Sequence, residues 1–282
     1  MECRRRTIRF AAADGFHDLA FTHWGADDLA QRAICVHGLT RLGRDFDALA
    51  RHLVLHGWQV VCPDLPGRGA SDRLSDPALY TAQTYLSALS HLLAALDWRR
   101  SAWVGTSLGA ILGMAVAGLP GNPITRLVLN DMGTVIPLAA LQRIGGYLGQ
   151  VQEFPDMAAV EAHLRQVHAG FGRLSDAEWR QMAGHCAVAR PGGGFGLHYD
   201  PAIAVAYAPL MQAPLDLSAL WAGVSCPTLV LRGASSDLLT AEDAAAMATR
   251  RGVELETIPD CGHAPALLAF EQVRRVAAFL DG

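Results

Sequence analysis

Lysine is absent from this sequence, because all 23 basic residues are arginine. An enzyme that holds pyridoxal phosphate needs a lysine for its Schiff base, and a phosphate-binding loop that ends in Lys-Ser/Thr needs one for the phosphates. The absence excludes both classes. An extended basic face is not predicted either: the formal net charge is −4 and, beyond residues 1–10, the arginines are scattered. We therefore expect no nucleic-acid partner.

Long hydrophobic runs and paired metal ligands are missing as well, and no leader is expected. No apolar run reaches the roughly 18 residues that span a bilayer. The basic residues 1–10 are not followed by the apolar segment of a secretory signal, so we expect a soluble, cytoplasmic protein without a membrane partner. The six cysteines show no Cys-x-x-Cys spacing, and no His or Cys pair with the spacing of metal ligands is matched by a second such pair. We therefore expect neither a metal nor a cofactor.

What the sequence does have is apolar content, since 51% of its 282 residues are hydrophobic, enough for one large core. Short apolar runs alternate with segments of helical periodicity, which predicts a mostly parallel α/β sheet wound by right-handed crossovers. The first two strands flank an Asp-Gly turn and are expected to form an antiparallel edge. The predicted strands are residues 7–10, 19–24, 33–36, 58–62, 101–105, 124–129, 228–231 and 253–258, and the predicted helices outside the interruption described next are 45–56, 81–96, 110–117, 241–251 and 268–280.

The alternation stops after the sixth predicted strand. Residues 133–215 carry helical patches at 138–147, 158–171 and 176–186 and clustered aromatics, among them Phe171 and Trp179, and predict a helical cap. The core is then formed by residues 1–132 and 216–282. Because open α/β sheets bind ligands at the carboxyl ends of their strands, a cap inserted here is expected to stand over the site.

A serine lies at the turn between the fifth strand and the helix that follows it, in the pattern Gly-x-Ser-x-Gly of residues 105–109. A reversal this tight strains the central residue, and a Cβ at Gly105 or Gly109 would collide with neighbouring elements. The geometry exposes the hydroxyl of Ser107 beside the amino end of a helix, whose dipole favours a developing oxyanion. Ser107 is therefore the candidate nucleophile.

A serine hydroxyl needs a base, and the base needs a carboxylate that fixes its tautomer. His263 follows the last strand in a glycine-containing loop and is the candidate base. Two aspartates follow strands and could orient it: Asp237 after the seventh strand and Asp131 after the sixth. We favour Asp237, because the order Ser107, Asp237, His263 is the chain order of the nucleophile-elbow enzymes, and keep Asp131 as the alternative acid.

An oxyanion hole needs two N–H groups. The first is expected from Leu108, after the nucleophile, and the second from Leu39 in the loop that follows the third strand. Gly38 lets this loop turn inward, and His37 is expected to support it rather than to take part in the chemistry. Asp64 is expected to accept backbone N–H bonds in its own turn-rich loop.

The sequence thus contains five characteristic motifs, which are Val36-His37-Gly38-Leu39, Asp64-Leu65-Pro66-Gly67-Arg68-Gly69-Ala70-Ser71, Gly105-Thr106-Ser107-Leu108-Gly109, Leu231-Arg232-Gly233 with Asp237, and Gly262-His263. Together they resemble the α/β-hydrolase fold superfamily over nearly the whole chain. Within it the chain is similar to the small bacterial esterases, lactonases, cofactor-free haloperoxidases and carbon–carbon bond hydrolases. Its elbow departs from many of them at Ala110, where they have a third glycine.

The resemblance implies a serine hydrolase that cleaves a small or medium ester, thioester or lactone through an acyl-enzyme, with the cap forming an apolar pocket. The expected partner is a small molecule with an apolar moiety, and a homodimer stays open. The alternatives with the same residues are a carbon–carbon hydrolase of meta-cleavage products and a cofactor-free haloperoxidase or perhydrolase. A non-enzymatic small-molecule receptor is the alternative from a different class.

Overall fold

A single eight-stranded sheet organises the computed structural model, which describes residues 3–282. The strands lie side by side in the order β1-β2-β4-β3-β5-β6-β11-β12. Only β2 runs in the direction opposite to the other seven strands, so the predicted antiparallel edge and mostly parallel sheet are confirmed. The strands are β1 (Arg4–Ala12), β2 (Gly15–Trp24), β3 (Gln31–Val36), β4 (Trp58–Pro63), β5 (Ser101–Thr106), β6 (Ile124–Asn130), β11 (Thr228–Gly233) and β12 (Val253–Ile258).

The central strands are apolar on both sides because helices cover both faces of the sheet. Successive side chains of a strand point to opposite faces, so Ile34 and Val36 enter one core cluster while Ala33 and Cys35 enter the other. The edge strand β12 is only partly buried. This division explains why the inner strands read as continuous hydrophobic runs rather than as alternating patterns.

Five helices of the core follow strands, as the sequence predicts. Helices α1 and α10 pack on one face and α2, α3 and α9 on the other. Thr81 and Thr240 cap α2 and α9 through their side chains, which fixes where these helices begin. Within residues 3–282 no helix combines the length and apolar composition needed to cross a bilayer. The helices are α1 (Asp47–Leu55), α2 (Ala82–Ala95), α3 (Leu108–Ala117), α9 (Ala241–Ala248) and α10 (Phe270–Asp281).

A long insertion separates β6 from β11 and is mostly helical. Two-residue strands near its ends pair with each other, Ile136 opposite Leu215, so the insertion leaves and rejoins the sheet at one place. It has an apolar cluster of its own around Val160 and Trp179. That residues 133–215 form a separate cap stays a prediction. The elements are β7 (Val135–Ile136), α4 (Leu138–Gly145), α5 (Met157–Val167), α6 (Asp176–Cys186), β8 (Ala187–Ala189), β9 (Phe195–Leu197), α7 (Ala204–Tyr207), β10 (Leu215–Asp216) and α8 (Ser218–Gly223).

Candidate active site

Ser107 forms the turn between β5 and α3. Its backbone has φ 53° and ψ −115°, in the left-handed half of conformational space that a non-glycine residue seldom occupies. Both flanking glycines are sterically required: a Cβ at Gly105 would lie 2.3 Å from the carbonyl oxygen of Gly109, and one at Gly109 would lie 1.9 Å from that of Val36. The physical reason for the Gly-x-Ser-x-Gly spacing is therefore present in the folded chain.

A continuous chain of hydrogen bonds joins Ser107, His263 and Asp131. Nε2 of His263 lies 3.0 Å from Oγ of Ser107, and Nδ1 lies 2.7 Å from Oδ2 of Asp131. Because a carboxylate only accepts hydrogen bonds, Nδ1 carries the proton and donates it. Nε2 then offers its lone pair to the serine hydroxyl, which is the arrangement a general base requires.

Asp131 follows β6 directly and is completely buried. Its φ of 56° turns the chain out of the strand, and its own N–H donates to the carbonyl of Leu231 on the neighbouring strand. Besides His263, the carboxylate accepts the Gly233 N–H at 2.8 Å and the Ser236 hydroxyl at 2.5 Å. These donors compensate for the removal of a charge from water and fix the plane of the carboxylate.

In the structure His263 contacts Asp131 and not Asp237, the acid that the sequence favours. Asp237 forms an ion pair with Arg143, whose Nε and Nη2 lie 2.6 and 3.0 Å from its carboxylate oxygens. Burial alone would raise the pKa of Asp237, but the guanidinium outweighs it and holds that pKa below its ordinary value. The turn after β11 explains why Asp237 does not reach His263. It brings the hydroxyl of Ser236 to Asp131 and leaves the side chain of Asp237 on a half-exposed surface.

The loop that carries His263 is tied down on both sides. The Gly262 N–H donates to the carbonyl of Gly170, and the Ala266 N–H donates to that of Phe171. On the sheet side, the amide of Asn130 donates to the carbonyl of Pro265 at 2.8 Å. The insertion and the end of β6 thus both position the imidazole.

The loop after β3 lies against the serine, since a Cβ on Gly38 would be 3.5 Å from the Cβ of Ser107. Nε2 of His37 accepts the Leu65 N–H, so its proton is on Nδ1, which donates to the Gly38 carbonyl at 2.7 Å. Complete burial lowers the pKa of His37 to about 3 and keeps it neutral. The Leu39 carbonyl accepts from Arg68 at 2.9 Å.

These contacts involve the carbonyl groups of the loop. They do not involve the Leu39 and Leu108 N–H groups, which the sequence predicts for the oxyanion hole. Within residues 3–282, neither the Leu39 N–H nor the Leu108 N–H donates to another protein group. Leu108 is the first residue of α3, where backbone N–H groups have no partner inside the helix. Asp64 accepts the Gly43 and Ala70 N–H groups, as its sequence context predicts.

Ser107 and His263 open into an inner cavity whose far wall comes from the insertion. Phe171 lines this cavity, whereas Trp179 is packed in the apolar cluster of the insertion and does not. Nothing in the sequence separates these two aromatics. Other lining residues are Arg41, Arg143, Ile144, Tyr147, Val167 and His168. Residues 3–282 contain no group of three His, Cys, Asp or Glu side chains arranged to hold a metal ion.

Two contributors to the site carry no sequence signal of the kind used here. Ser236, which donates to Asp131, is one of two adjacent serines in a polar loop. Asn130, which holds the His263 loop, ends an ordinary apolar strand. Both act through contacts between segments more than 100 residues apart, which local patterns do not encode.

The eight-stranded sheet, with a serine at the turn after β5, is the architecture of the α/β hydrolases. Comparison with known families gives the same class. The model of the Alpha/beta hydrolase family matches residues 33–279. The chain belongs to this family and is a hydrolase.

The relatives agree over the full length. The chain is 38% identical, over 95% of its length and 94% of the relative's, to a 3-hydroxybutyrate-oligomer hydrolase of Cupriavidus necator. An alpha/beta hydrolase from Novosphingobium aromaticivorans superposes with a TM-score of 0.88 at 35% identity, covering 99% of this chain and 98% of that one. A putative hydrolase from Rickettsia typhi superposes with a TM-score of 0.92 at 28% identity, covering 100% and 99%.

Proposed function

We propose that the protein is a serine esterase with Ser107 as nucleophile, His263 as general base and Asp131 as the orienting acid. The observation that carries the proposal is the hydrogen-bonded chain from the Ser107 hydroxyl through both imidazole nitrogens to a buried carboxylate. Two polar groups on the two sides of one imidazole are what activation of a serine requires. The strained backbone of Ser107 supports the same role.

In the proposed reaction, Oγ of Ser107 attacks the ester carbonyl carbon while Nε2 of His263 takes the hydroxyl proton. The tetrahedral intermediate collapses as His263 returns that proton to the leaving alkoxide, which departs as an alcohol and leaves an acyl-serine. Water then attacks the acyl carbon and loses a proton to His263, the bond between that carbon and Oγ of Ser107 breaks, and the carboxylic acid is released as His263 returns the proton to Oγ. The carboxylate of Asp131 stabilises the imidazolium in both halves of the reaction.

The developing oxyanion is assigned to the backbone N–H groups of Leu39 and Leu108. Neither donates within the described chain, and the loop that carries Leu39 lies against Ser107, the residue before Leu108. The start of α3 adds the positive end of a helix dipole. Loss of one such donor typically costs about two to three orders of magnitude in kcat.

The proposed substrate class is a short ester of hydroxy acids. The related enzyme from Cupriavidus necator is named for 3-hydroxybutyrate oligomers, which are held together by ester bonds. The inner cavity supports such a substrate because apolar side chains (Ile144, Val167) share its wall with polar ones (Tyr147, His168). The contribution of the insertion to this wall also supports the proposal that residues 133–215 act as a cap.

The test measures hydrolysis of 3-hydroxybutyrate dimer and trimer and of p-nitrophenyl butanoate by the wild type and by Ser107→Ala. We expect ester cleavage by the wild type, loss of at least about 10³ in kcat in the variant, and labelling of Ser107 by a fluorophosphonate probe. Labelling at another serine would overturn the assignment. Turnover of a meta-cleavage product without ester hydrolysis would replace the esterase by a carbon–carbon hydrolase.

A further inference from the structure

Arg143 stands where the inner cavity meets an outer groove. It belongs to α4 of the insertion and lines the cavity that contains Ser107 and His263. It also lines a groove on the outer side of the insertion. Tyr147 and Val167 likewise line both the cavity and the groove. A substrate that enters from the groove therefore passes Arg143 before its ester reaches Ser107.

Within residues 3–282, both spaces are lined by arginine and by no carboxylate, although the whole chain is acidic. Among the described residues, no aspartate or glutamate lines the inner cavity or the groove. Two arginines line the cavity, Arg41 and Arg143, and Arg143 alone carries a permanent charge in the groove. Each arginine is paired with a carboxylate outside the lining, Asp45 for Arg41 and Asp237 for Arg143, so the lining offers an anionic substrate guanidinium donors without a facing carboxylate.

The guanidinium of Arg143 is held in place and still has donors to give. Asp237 occupies Nε and one N–H of Nη2, which are two of the five donors of the side chain. The other edge, made of Nη1 and the second N–H of Nη2, keeps the fork geometry that matches a carboxylate. Asp237 thus orients Arg143, and the pair is only half-buried, with about half of each side chain exposed.

Arg41 does not have this freedom. It is buried, its Nε and Nη2 bind both carboxylate oxygens of Asp45, and Nη1 lies against His168 and Cys186. Its contacts therefore lie within the protein and hold the wall of the cavity. Of the two cavity arginines, Arg143 is the one with an edge available to a ligand.

We propose that Arg143 binds a carboxylate on the alcohol side of the ester, so that the preferred substrates are esters whose leaving group is a hydroxy acid. The inference rests on the proposed esterase function and adds the residue that recognises the acid end of its substrate. In a 3-hydroxy acid dimer the carboxylate and the ester oxygen belong to the same leaving unit. When Ser107 acylates, the bond between the acyl carbon and this oxygen breaks, and the hydroxy acid leaves with the proton from His263.

The experiment compares two esters with the same acyl group, 3-(butanoyloxy)butanoate and its neutral amide, 3-(butanoyloxy)butanamide. For the wild type we expect kcat/KM to be about tenfold to a hundredfold higher for the carboxylate, the range of a charge-assisted contact. In Arg143→Gln this ratio should fall to about one, and in Arg143→Lys it should lie between, because a lysine keeps the charge without the fork.

Arg165→Gln is the matched control. Arg165 lies on α5 of the same insertion and is also paired with carboxylates, Glu161 and Asp176, but it lines neither space. The control should keep the wild-type ratio. Raising the salt concentration should lower the ratio in the wild type and in the control, since it screens the charge of the half-exposed Arg143.

A wild-type ratio near one, or an unchanged ratio in Arg143→Gln, would overturn the proposal. So would an equal loss on both esters in Arg143→Gln with the fluorophosphonate labelling rate of Ser107 preserved, because Arg143 would then act on the wall rather than on the substrate. The esterase function fails separately: in that case the wild type hydrolyses neither ester, nor p-nitrophenyl butanoate, at a rate that depends on Ser107.

Discussion

Asp131→Asn changes one buried atom of the site and keeps its shape. The amide can still accept the Gly233 N–H at Oδ1, and Ser236 can rotate its hydroxyl to accept from the new NH₂. The NH₂ group then faces Nδ1 of His263 and donates to it. That contact reverses the tautomer, so Nε2 carries the proton and faces the Ser107 hydroxyl as a second donor.

With Nε2 protonated, His263 cannot take the proton of Ser107, and the imidazolium formed during attack loses its counter-charge. This combination typically costs about 10⁴ in kcat, or about 5 kcal/mol of transition-state stabilisation. The free energy of unfolding should fall less, by about 1 to 3 kcal/mol, because only the charge-assisted part of the three hydrogen bonds to the carboxylate is lost. Activity and stability therefore respond on different scales.

Asp237→Asn is the matched control, an identical chemical change in the aspartate that the sequence favoured. Its ion pair with Arg143 is about half exposed, and such pairs contribute about 0 to 1 kcal/mol. We expect kcat on p-nitrophenyl butanoate to stay within about threefold of the wild type. Steady-state kinetics at neutral and alkaline pH, with thermal melting of each variant, provides the comparison.

The reasoning is refuted if the two variants exchange behaviour. A folded, inactive Asp237→Asn with an active Asp131→Asn would mean that the loop after β11 rearranges to bring Asp237 to His263 during catalysis. An Asp131→Asn protein that loses activity only in proportion to its unfolded fraction would reduce Asp131 to a structural carboxylate.

Two further predictions concern the cavity wall and the buried histidines. Phe171→Ala should change the ratio of kcat/KM between butanoyl and octanoyl esters, because Phe171 lines the cavity. Trp179→Phe should lower the melting temperature and leave that ratio unchanged, because Trp179 packs in the apolar cluster of the insertion. Equal effects of the two variants on the ratio would contradict these separate roles. The protein should lose stability as the pH falls from about 6.5 towards 3, by about 1.4 kcal/mol per pH unit for each histidine that is protonated only when unfolded. Burial lowers the pKa of His37 to about 3, and the pKa values of His168 and His198 well below the ordinary value. The contribution of these neutral histidines to the free energy of unfolding is therefore complete above about pH 6.5, the pKa of histidine in the unfolded chain. Urea unfolding at pH 7.5, 6 and 5 measures it, and a constant free energy of unfolding would contradict it.

Local chemistry predicted the elements well where one physical cause dominates. The helix expected at 176–186 has these bounds in the structure because Ser175 and Glu178 cap each other at its start. The strand before Ser107 was predictable because a strand buried on both faces is apolar at nearly every position. The turn at Ser107 was predictable because a side chain at Gly105 would collide with the backbone of Gly109, and a side chain at Gly109 would collide with the end of β3.

The acid was not predictable, because the two candidates end neighbouring parallel strands. Asn130 of β6 pairs with Leu231 of β11, so Asp131 and the loop that contains Asp237 leave the sheet at the same edge. Which carboxylate reaches His263 depends on the backbone after each strand. The positive φ of Asp131 and the side-chain bond from Ser236 decide it, and neither has a local signature in the sequence.

This proximity gives a last prediction, in which the acid moves to the other strand. Oγ of Ser236 lies 2.5 Å from the carboxylate oxygen that contacts His263, so a side chain at position 236 is already within reach of that oxygen's place. In the double variant Asp131→Asn with Ser236→Asp, the new carboxylate can accept the Nδ1 proton. It can also keep the Leu238 and Leu239 N–H groups that the serine oxygen now accepts.

We expect the double variant to recover at least about tenfold in kcat over Asp131→Asn, the contribution of one charge-assisted hydrogen bond to the imidazolium. The single variant Ser236→Asp should be slower than the wild type, because two carboxylates would then compete for one imidazole and repel each other. Circular dichroism and fluorophosphonate labelling of Ser107 establish that each variant is folded. A folded double variant no faster than Asp131→Asn would show that the carboxylate must approach His263 from the end of β6, and that proximity of the two strand ends does not make them equivalent.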